Sequence, residues 1–453
     1  MTQSSPSQSQ DTIKLDVLAK DATVALVIQA TGLILTYSVQ VILARWMGRT
    51  EYGIYEYTVA WSLLLGIPAG LGLPRTVLRL VSEYRVTKDW GRLRGIVRGS
   101  WLLTLVAGFL LCLGTAGTIW LINYYHSFIY AMPMLVGLGL IPLQALVQLQ
   151  LETARALEDV PLAYAPSQII WPILVICGGF FLLQTHHELN SLIMIAVATV
   201  MLLVVVILQL WFLRQKLNRK IEVTTPVYAY REWLAIALVL VLQQAFYIIL
   251  NQTDIIMVGS LVGPGATGIY NAAVKTAMWV SFILQIVNIV AAPAFATLYT
   301  QGKLEELQRV VSTVTVWIFW PSLAIAACLL LLTKPILSIF GSDFLVASLP
   351  LKVLVLGQVV NAICGSVGSL TVMTGHQNKS VKIFGVSALI NLVLNAIAIP
   401  RFGTVGAAMT TSFTMVIWNI WLSILVVREI GINPLIFYSF FGRVEDSTEE
   451  DNS

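Results

Sequence analysis

The chain has 453 residues, of which 57% are apolar and only 11% are charged, and its mean hydropathy is +0.82. A water-soluble domain carries about 25% charged residues, so this composition excludes an ordinary soluble protein and predicts an integral membrane protein. The formal net charge of +4 is modest, and it does not indicate a nucleic-acid-binding surface.

Apolar runs long enough to cross a membrane follow one another along most of the chain. A spanning helix needs about 20 apolar residues. Six candidates in the first half fall near residues 21–44, 54–73, 100–122, 128–150, 162–184 and 191–213. Six more in the second half fall near residues 233–258, 266–298, 311–333, 346–373, 381–399 and 404–427. The sequence therefore predicts an all-α integral membrane protein with about 12 transmembrane helices, and the long run 266–298 is expected to be tilted or broken.

Two short segments, one in each half, have similar sequences. Residues 48–55 read Gly-Arg-Thr-Glu-Tyr-Gly-Ile-Tyr, and residues 263–270, which lie 215 positions later, read Gly-Pro-Gly-Ala-Thr-Gly-Ile-Tyr. Pro74 and Pro293 repeat nearly the same spacing. The repetition predicts two six-helix lobes, related as parallel repeats around a central cavity, which is a common build of alternating-access transporters.

Polar stretches divide the chain into five predicted regions. These are a disordered cytoplasmic N-terminus (1–16), an N-lobe with helices 1–6 (17–215), a cytoplasmic linker (216–232), a C-lobe with helices 7–12 (233–430) and an acidic cytoplasmic tail (431–453).

Basic residues are distributed unequally between the predicted loops. Most of the 27 Lys and Arg residues lie on the side of the two termini, whereas the opposite side holds only Arg45, Arg49, Lys334, Lys352 and Arg401. By the positive-inside rule, this distribution predicts a multi-pass protein of the cell inner (cytoplasmic) membrane with both termini in the cytoplasm.

Asp254 and Lys275 lie inside predicted spans and are the first candidates for a binding site. A charge at the bilayer centre costs about 2.5–3.5 kcal/mol and normally faces a partner or a watery cavity. Both residues lie roughly 15 Å from a turn at Pro264, so an ion pair between neighbouring helices is expected, with Asn251 and Asn271 as polar neighbours. Lys275 is expected to attract a phosphate-bearing substrate and Asp254 to bind a coupling proton or cation; a purely structural salt bridge is the alternative.

Four charged residues of the first half are weaker candidates for substrate contacts. Arg45 and Glu56 flank the Gly48 turn and could meet near the outer face, although Arg45 also fits an interfacial position. Arg75 and Arg79 follow the second span at its cytoplasmic end. They either bind an anionic headgroup or only help to set the topology.

Sequence motifs of soluble catalytic sites are absent from the chain. There is no phosphate-binding Gly-Lys-Ser/Thr loop, no Gly-x-Ser-x-Gly and no Cys/His metal cluster. We therefore expect no catalytic residue, metal or cofactor, and a transporter rather than an enzyme. Its energy would come from an ion gradient or from the substrate's own concentration difference.

Five segments, in the same order along the chain, carry a family resemblance. They are Arg-Trp-Met-Gly-Arg-Thr-Glu-Tyr-Gly-Ile-Tyr (45–55), Thr-Asp-Ile-Ile-Met-Val-Gly (253–259), Gly-Ile-Tyr-Asn-Ala-Ala-Val-Lys (268–275), Phe-Gly-Ser-Asp-Phe (340–344) and Met-Thr-Gly-His-Gln (373–377). Over roughly residues 15–430 the chain resembles the polysaccharide-biosynthesis flippases of the multidrug/oligosaccharidyl-lipid/polysaccharide exporter superfamily.

The resemblance implies two lobes in a V shape and the transfer of a polyprenyl-diphosphate-linked oligosaccharide from the cytoplasmic to the outer leaflet. It also implies that Asp254 and Lys275 face the cavity. The partners it implies are the lipid-linked substrate and membrane lipids, with a polysaccharide polymerase or glycosyltransferase as candidate partner proteins and no nucleic acid. The first span departs from members with a cationic lumen, because residues 22–44 carry no charge, and this leaves the charge of the glycan open.

Two other functions compete with this reading. A cation-coupled multidrug or metabolite antiporter of the same superfamily would favour acidic cavity residues. A membrane polysaccharide polymerase or ligase would need a sizeable outer loop, which the short predicted outer connections do not supply. The sequence leaves open the glycan, the coupling ion and the oligomeric state.

Overall fold

A computed structural model of the chain describes residues 6–185, 188–220 and 224–438, and it describes side chains from residue 23 onward except at residues 220, 239, 243 and 247. His186, His187 and the acidic tail beyond residue 438 lie outside these ranges. Within the described ranges all regular elements are helical, and nine helices are long and apolar enough to cross a membrane. The prediction of an all-α integral membrane protein is confirmed.

The first half of the described chain forms eight α-helices. They are α1 (Pro6–Gly70), α2 (Leu73–Val86), α3 (Trp90–Tyr125), α4 (Ala131–Gly137), α5 (Leu140–Ala156), α6 (Val160–Ala165), α7 (Trp171–Thr185) and α8 (Ser191–Lys220). A π-helical turn, Pro166–Ile170, connects α6 to α7, so that the three form one continuous apolar segment.

The second half of the described chain forms seven α-helices. They are α9 (Tyr230–Leu261), α10 (Pro264–Thr300), α11 (Leu304–Leu331), α12 (Thr333–Ser338), α13 (Ser348–Cys364), α14 (Val367–Met373) and α15 (Gln377–Ile430). A 3-10 turn, Ser342–Ala347, precedes α13. Helix α10 continues through Pro293, so the break considered for the run 266–298 does not occur.

Two long helices fold back on themselves at a glycine. Non-helical dihedral angles interrupt α1 at Gly48 and α15 at Gly403. In α1 the Tyr52 hydroxyl lies 2.5 Å from Gln40 Oε1, although twelve residues of straight helix would separate them by about 18 Å. Helices α1 and α15 therefore each provide two segments that can span the membrane. With these additional segments and α9, the described helices are sufficient for the predicted number of spans. The count of twelve and the division into two lobes remain predictions.

Corresponding turns of the two halves have similar backbone angles. Gly48 (φ 70°, ψ 171°) and Gly263 (φ 118°, ψ 175°) adopt a conformation that is essentially restricted to glycine. The residues that follow α2 and α10 also have matching backbone angles: Thr87 has φ −79° and ψ −5°, and Gln301 has φ −78° and ψ −4°. These agreements support the internal repeat that the sequence predicts.

The N-terminal segment differs from expectation. Helix α1 begins at Pro6, so residues 6–16 are helical, whereas a disordered segment was expected over residues 1–16. They continue the helix of the first span, and nothing interrupts the backbone hydrogen bonding before Gly48. Residues 1–5 lie outside the described chain.

Helix α1 packs more extensively against α10 than any other two helices pack together. This contact joins the two halves of the sequence. Within the second half, α15 packs against both α13 and α9. The first arrangement brings the repeated segments together, and the second forms the walls of a cavity.

Candidate functional site

The two repeated segments, residues 48–55 and 263–270, touch each other, and we call this contact the repeat junction. A Cβ atom added to Gly53 would lie 1.8 Å from the carbonyl oxygen of Pro264, and one added to Gly268 would lie 2.2 Å from that of Arg49. Residues 49 and 264, like 53 and 268, are 215 positions apart. The contact therefore has local two-fold symmetry, and only residues without a side chain permit this approach of the helices.

Buried hydrogen bonds next to the repeat junction also connect the two halves. Asn271 Nδ2 donates to the Tyr52 hydroxyl at 2.8 Å and to Gln40 Oε1 at 3.2 Å. Tyr52 and Asn271 are fully buried, and Gln40 is 9% exposed. The predicted site residue Asn271 therefore takes part in holding the halves together at this end.

Glu56 is buried beside the same network. Its side chain is 4% exposed, and its electrostatic neighbours are Lys275, Gln40 and Asn271. Among the described residues, no hydrogen bond reaches its Oε1 atom. Glu56 is thus an acidic group of the first half that faces a cation of the second half.

Asp254 is held by neutral donors instead of by Lys275. Its Oδ1 accepts from the Ile255 backbone N–H at 2.9 Å, and its Oδ2 accepts from the hydroxyls of Tyr270 at 2.6 Å and Thr411 at 3.1 Å. No ion pair between Asp254 and Lys275 occurs in the described part of the chain. The expected pair is wrong because these donors satisfy the Asp254 carboxylate.

Arg45 and Glu56 do not meet, contrary to the expectation from their positions beside Gly48. The Arg45 guanidinium donates from Nε to the carbonyl oxygen of Ile339 at 2.5 Å and from Nη2 to that of Ser338 at 3.5 Å. These carbonyls end α12, where a positive charge is favourable because of the helix dipole. Arg45 thus joins the two halves at the exposed edge of the repeat junction.

Arg75 and Arg79 lie on the exposed face of α2. The opposite face of this helix is buried, with Thr76, Val77 and Leu80 among its inward residues. Arg75 acts electrostatically on Glu152 of α5. Neither arginine lines the cavity described next.

A cavity of about 310 Å³ lies within the second half. Residues of α9, α10, α13 and α15 line it, together with residues 365–369. Three of the predicted site residues, Asn251, Asp254 and Lys275, are in its wall. The structure thus brings these three together at one cavity and separates them from Arg45, Arg75 and Arg79.

The sequence analysis missed most of the polar residues of this wall. Ser281, Gln285 and Asn288 follow Lys275 along α10, and their spacings of four and three residues place these three on one side of the helix. Gln358, Asn361 and Asn419 belong to the same wall. Amides that recur at helical spacing inside apolar spans were the signal that could have revealed them.

Metal-binding clusters are absent from the part of the chain that the structure describes. No group of three or more His, Cys, Asp or Glu side chains there could hold a metal ion.

Comparisons with known proteins agree with this architecture. The family described as "Polysaccharide biosynthesis protein" matches residues 18–299, and the MatE family matches residues 236–397. A probable low-salt glycan biosynthesis flippase of Haloferax volcanii, Agl15, is 22% identical over 385 residues, covering 83% of this chain and 76% of that protein. An uncharacterized membrane protein of Methanocaldococcus jannaschii, MJ1068, is 29% identical over 206 residues, which cover 43% of this chain and 38% of that protein.

Solved structures share the fold at low sequence identity. The lipid II flippase MurJ in an inward closed conformation superposes with a TM-score of 0.71 at 18% identity, covering 89% of this chain and 87% of that chain. An inward-facing MATE-family multidrug resistance transporter superposes with a TM-score of 0.69 at 13% identity, covering 90% of this chain and 98% of that chain.

The polysaccharide-biosynthesis family matches more than half of the sequence, and the two solved structures, a lipid II flippase and a multidrug resistance transporter, share the fold. The chain belongs to the polysaccharide biosynthesis protein family of the multidrug/oligosaccharidyl-lipid/polysaccharide exporter superfamily.

Proposed function

We propose that the protein moves a polyprenyl-diphosphate-linked oligosaccharide from the inner to the outer leaflet of the cytoplasmic membrane by alternating access. The observation that carries this proposal is a cavity within the helical bundle whose wall includes a lysine and several amide side chains, and which helix α10 connects to the repeat junction. A hydrophilic headgroup needs such a cavity at membrane depth, and a lipid tail can remain in the bilayer beside it.

The position of the cavity along α10 supports a cavity that opens toward the cytoplasm. Its polar residues on this helix extend from Lys275 to Asn288, about 20 Å of helix, and they lie between the repeat junction and the end of α10 at Thr300. If both termini are cytoplasmic, as the distribution of basic residues indicates, the cavity faces the cytoplasm. The repeat junction then closes the outer end.

Lys275 is the residue that we assign to the diphosphate. It is half-buried in the cavity wall, and no hydrogen bond or ion pair joins it to another described side chain. A lysine amine is a compact cation that binds phosphate oxygens. The nearby carboxylate of Glu56 balances the charge of Lys275 when the cavity is empty.

Asp254 is our candidate for the coupling proton or cation. Its hydrogen bonds connect α9, on which it lies, to Tyr270 of α10 and Thr411 of α15. A change of its charge would therefore act on the packing of three helices. A polysaccharide polymerase or glycosyltransferase, which would use or supply the lipid-linked substrate, is the candidate partner protein.

A cation-coupled multidrug or metabolite antiporter is the second candidate function. The MatE match supports it, because residues 236–397 include Asp254 and most of the cavity wall. In that case a cationic substrate would have to enter a cavity that already contains Lys275, and the like charge opposes its binding.

Reconstituted proteoliposomes can test the proposal. A polyprenyl-diphosphate-linked trisaccharide, made in the outer leaflet, should become protected from an impermeant glycosidase only when the protein is present. Protein-free vesicles and vesicles containing an unrelated multi-pass protein are the controls. Equal protection in all three preparations, together with uptake of a cationic dye driven by an ion gradient, would favour the antiporter.

A further inference from the structure

The cavity wall is rich in carboxamides and poor in charge. Asn288 of α10, Gln358 and Asn361 of α13 and Asn419 of α15 contribute amides, and Lys275 is the cation of the described wall. The carboxylate of Asp254 already accepts hydrogen bonds from neighbouring groups of the protein. The polar part of the wall therefore consists mainly of neutral hydrogen-bonding groups.

Several of these groups have no partner within the described structure. Oδ1 of Asn288, Oε1 of Gln358 and Oγ of Ser366 are buried atoms without a hydrogen bond, and Ser366 is 1% exposed. They come from three separate segments of the chain and line one cavity. Leaving such atoms unpaired is unfavourable, so their convergence indicates a ligand that supplies several hydroxyl or amide donors.

Two aromatic side chains line the same cavity as these polar groups. Trp418 and Phe384 both line the cavity and contact each other edge to face, with ring centroids 6.3 Å apart. Indole and phenyl faces pack well against apolar C–H groups. Neutral hydrogen-bonding groups next to an aromatic face are complementary to a sugar ring, which has hydroxyls at its rim and C–H groups on its faces.

We infer that this cavity is a binding subsite for uncharged, hydroxyl-rich glycan, in which Asn288, Gln358 and Ser366 receive sugar hydroxyls and Trp418 packs against a sugar ring. The inference rests on the proposed function and specifies the substrate: a neutral glycan is preferred to an acidic one. Lys275 lies nearer the N-terminal end of α10 than Asn288 does, and we assign it to the diphosphate.

Transport of two synthetic lipids by reconstituted full-length protein can test this inference. Both carry the same polyprenyl diphosphate and a trisaccharide of equal length, one made of neutral hexoses and one ending in a uronic acid. We expect the wild type to transport the neutral lipid about tenfold faster. Failure to transport either lipid would overturn the proposed function, whereas equal rates for both would overturn only the glycan subsite.

A double variant, Asn288→Leu with Gln358→Met, removes the unpaired amides with little change of shape. Transport of the neutral lipid should fall about tenfold, while thermal stability stays the same or rises because the amide oxygens it removes have no partner within the protein. Gln184→Met, which changes an exposed amide outside the cavity, should alter neither property. A double variant that transports the neutral lipid at the wild-type rate would contradict the inference.

The aromatic surface can be tested separately. Trp418→Leu should slow transport of the neutral lipid, and Trp418→Phe, which keeps an aromatic face, should restore most of the rate. If Trp418→Phe is as slow as Trp418→Leu at equal thermal stability, the packing of a sugar ring against this side chain is wrong.

Discussion

Helix α10 contributes to both the repeat junction and the cavity, and these two regions differ in how closely the helices pack. At the junction, backbone meets backbone at Gly53 and Gly268, and Tyr52 and Asn271 hydrogen-bond to one another in the network beside it. At the cavity the helices leave a space of about 310 Å³; buried acceptors without a described partner occur in both regions, as at Asn288 Oδ1 and Asn271 Oδ1. The difference indicates that one end of α10 is built for contact within the protein and the other for contact with a ligand.

The largest expected effect comes from adding a methyl group at the repeat junction. In Gly53→Ala the new Cβ would lie 1.8 Å from a backbone oxygen, which cannot move aside as a flexible side chain could. We expect a loss of stability of about 1–3 kcal/mol or more, at least a tenfold loss of transport, and separation of the halves at this end. Labelling of Thr267→Cys, a fully buried position, with an impermeant maleimide measures that separation.

A second glycine supplies the matched control for this prediction. A Cβ added to Gly117, in the apolar helix α3, would have no atom within 4 Å. Gly117→Ala should therefore leave transport and labelling of the introduced cysteine unchanged. Normal transport in Gly53→Ala, with the cysteine still unreactive, would show that the junction does not control the opening.

Removal of the cavity cation should have the next largest effect. Lys275→Ala takes away the proposed phosphate contact and also leaves Glu56 without its cationic neighbour. Transport should therefore fall at least about tenfold, and the free energy of unfolding by about 1–3 kcal/mol. Transport assays and thermal unfolding in detergent measure the two effects.

Combining Lys275→Ala with Glu56→Gln distinguishes these two consequences. Neutralising Glu56 should restore the thermal stability but not the transport, whereas Lys275→Arg should preserve much of both. If the double variant regains full transport, Lys275 serves only to balance Glu56 and does not bind the substrate.

A smaller effect is expected at Asp254. Asp254→Asn weakens the bonds from Tyr270 and Thr411 but keeps a neutral acceptor, and it should lower the free energy of unfolding by about 0.5–1.5 kcal/mol. If Asp254 binds the coupling ion, transport should also become independent of the ion gradient. Tyr270→Phe, which keeps the carboxylate, is the control and should retain the gradient dependence.

The smallest effect is expected on the surface of α2. Arg79 is exposed and lies outside the cavity, so Arg79→Gln should slow transport only about two- to fivefold in anionic vesicles and not at all in neutral ones. Arg214→Gln changes another exposed arginine, on α8. An equal effect of both substitutions would mean that α2 has no special role in attracting the headgroup.

The sequence predicted the helical fold and the repeated segments because both depend on local patterns. Apolar runs of sufficient length define spans, and the glycines at positions 48 and 263 mark turns that few other residues can form. These patterns require no knowledge of distant contacts.

The partners of buried charges were harder to predict. Asp254 and Lys275 were expected to pair because they lie at the same depth on adjacent helices, but depth does not specify which way each side chain turns. Asp254 is hydrogen-bonded by Tyr270 and Thr411, and Lys275 acts on Glu56, more than two hundred positions earlier in the chain. Such contacts depend on the packing of α1 against α10, which the sequence patterns did not show.

The reversal of α1 at the single residue Gly48 has a mechanical consequence. A hairpin without a loop has no slack, so its arms cannot slide past each other or move apart at that end. A rotation of the hairpin must instead be accommodated by backbone changes at its far end, between α1 and α2. There Leu71 and Gly72 have positive φ angles of 50° and 71°. If the repeat junction is the seal of the proposed transport cycle, the pivot for opening this half of the molecule would therefore lie on the opposite side of the membrane from that seal.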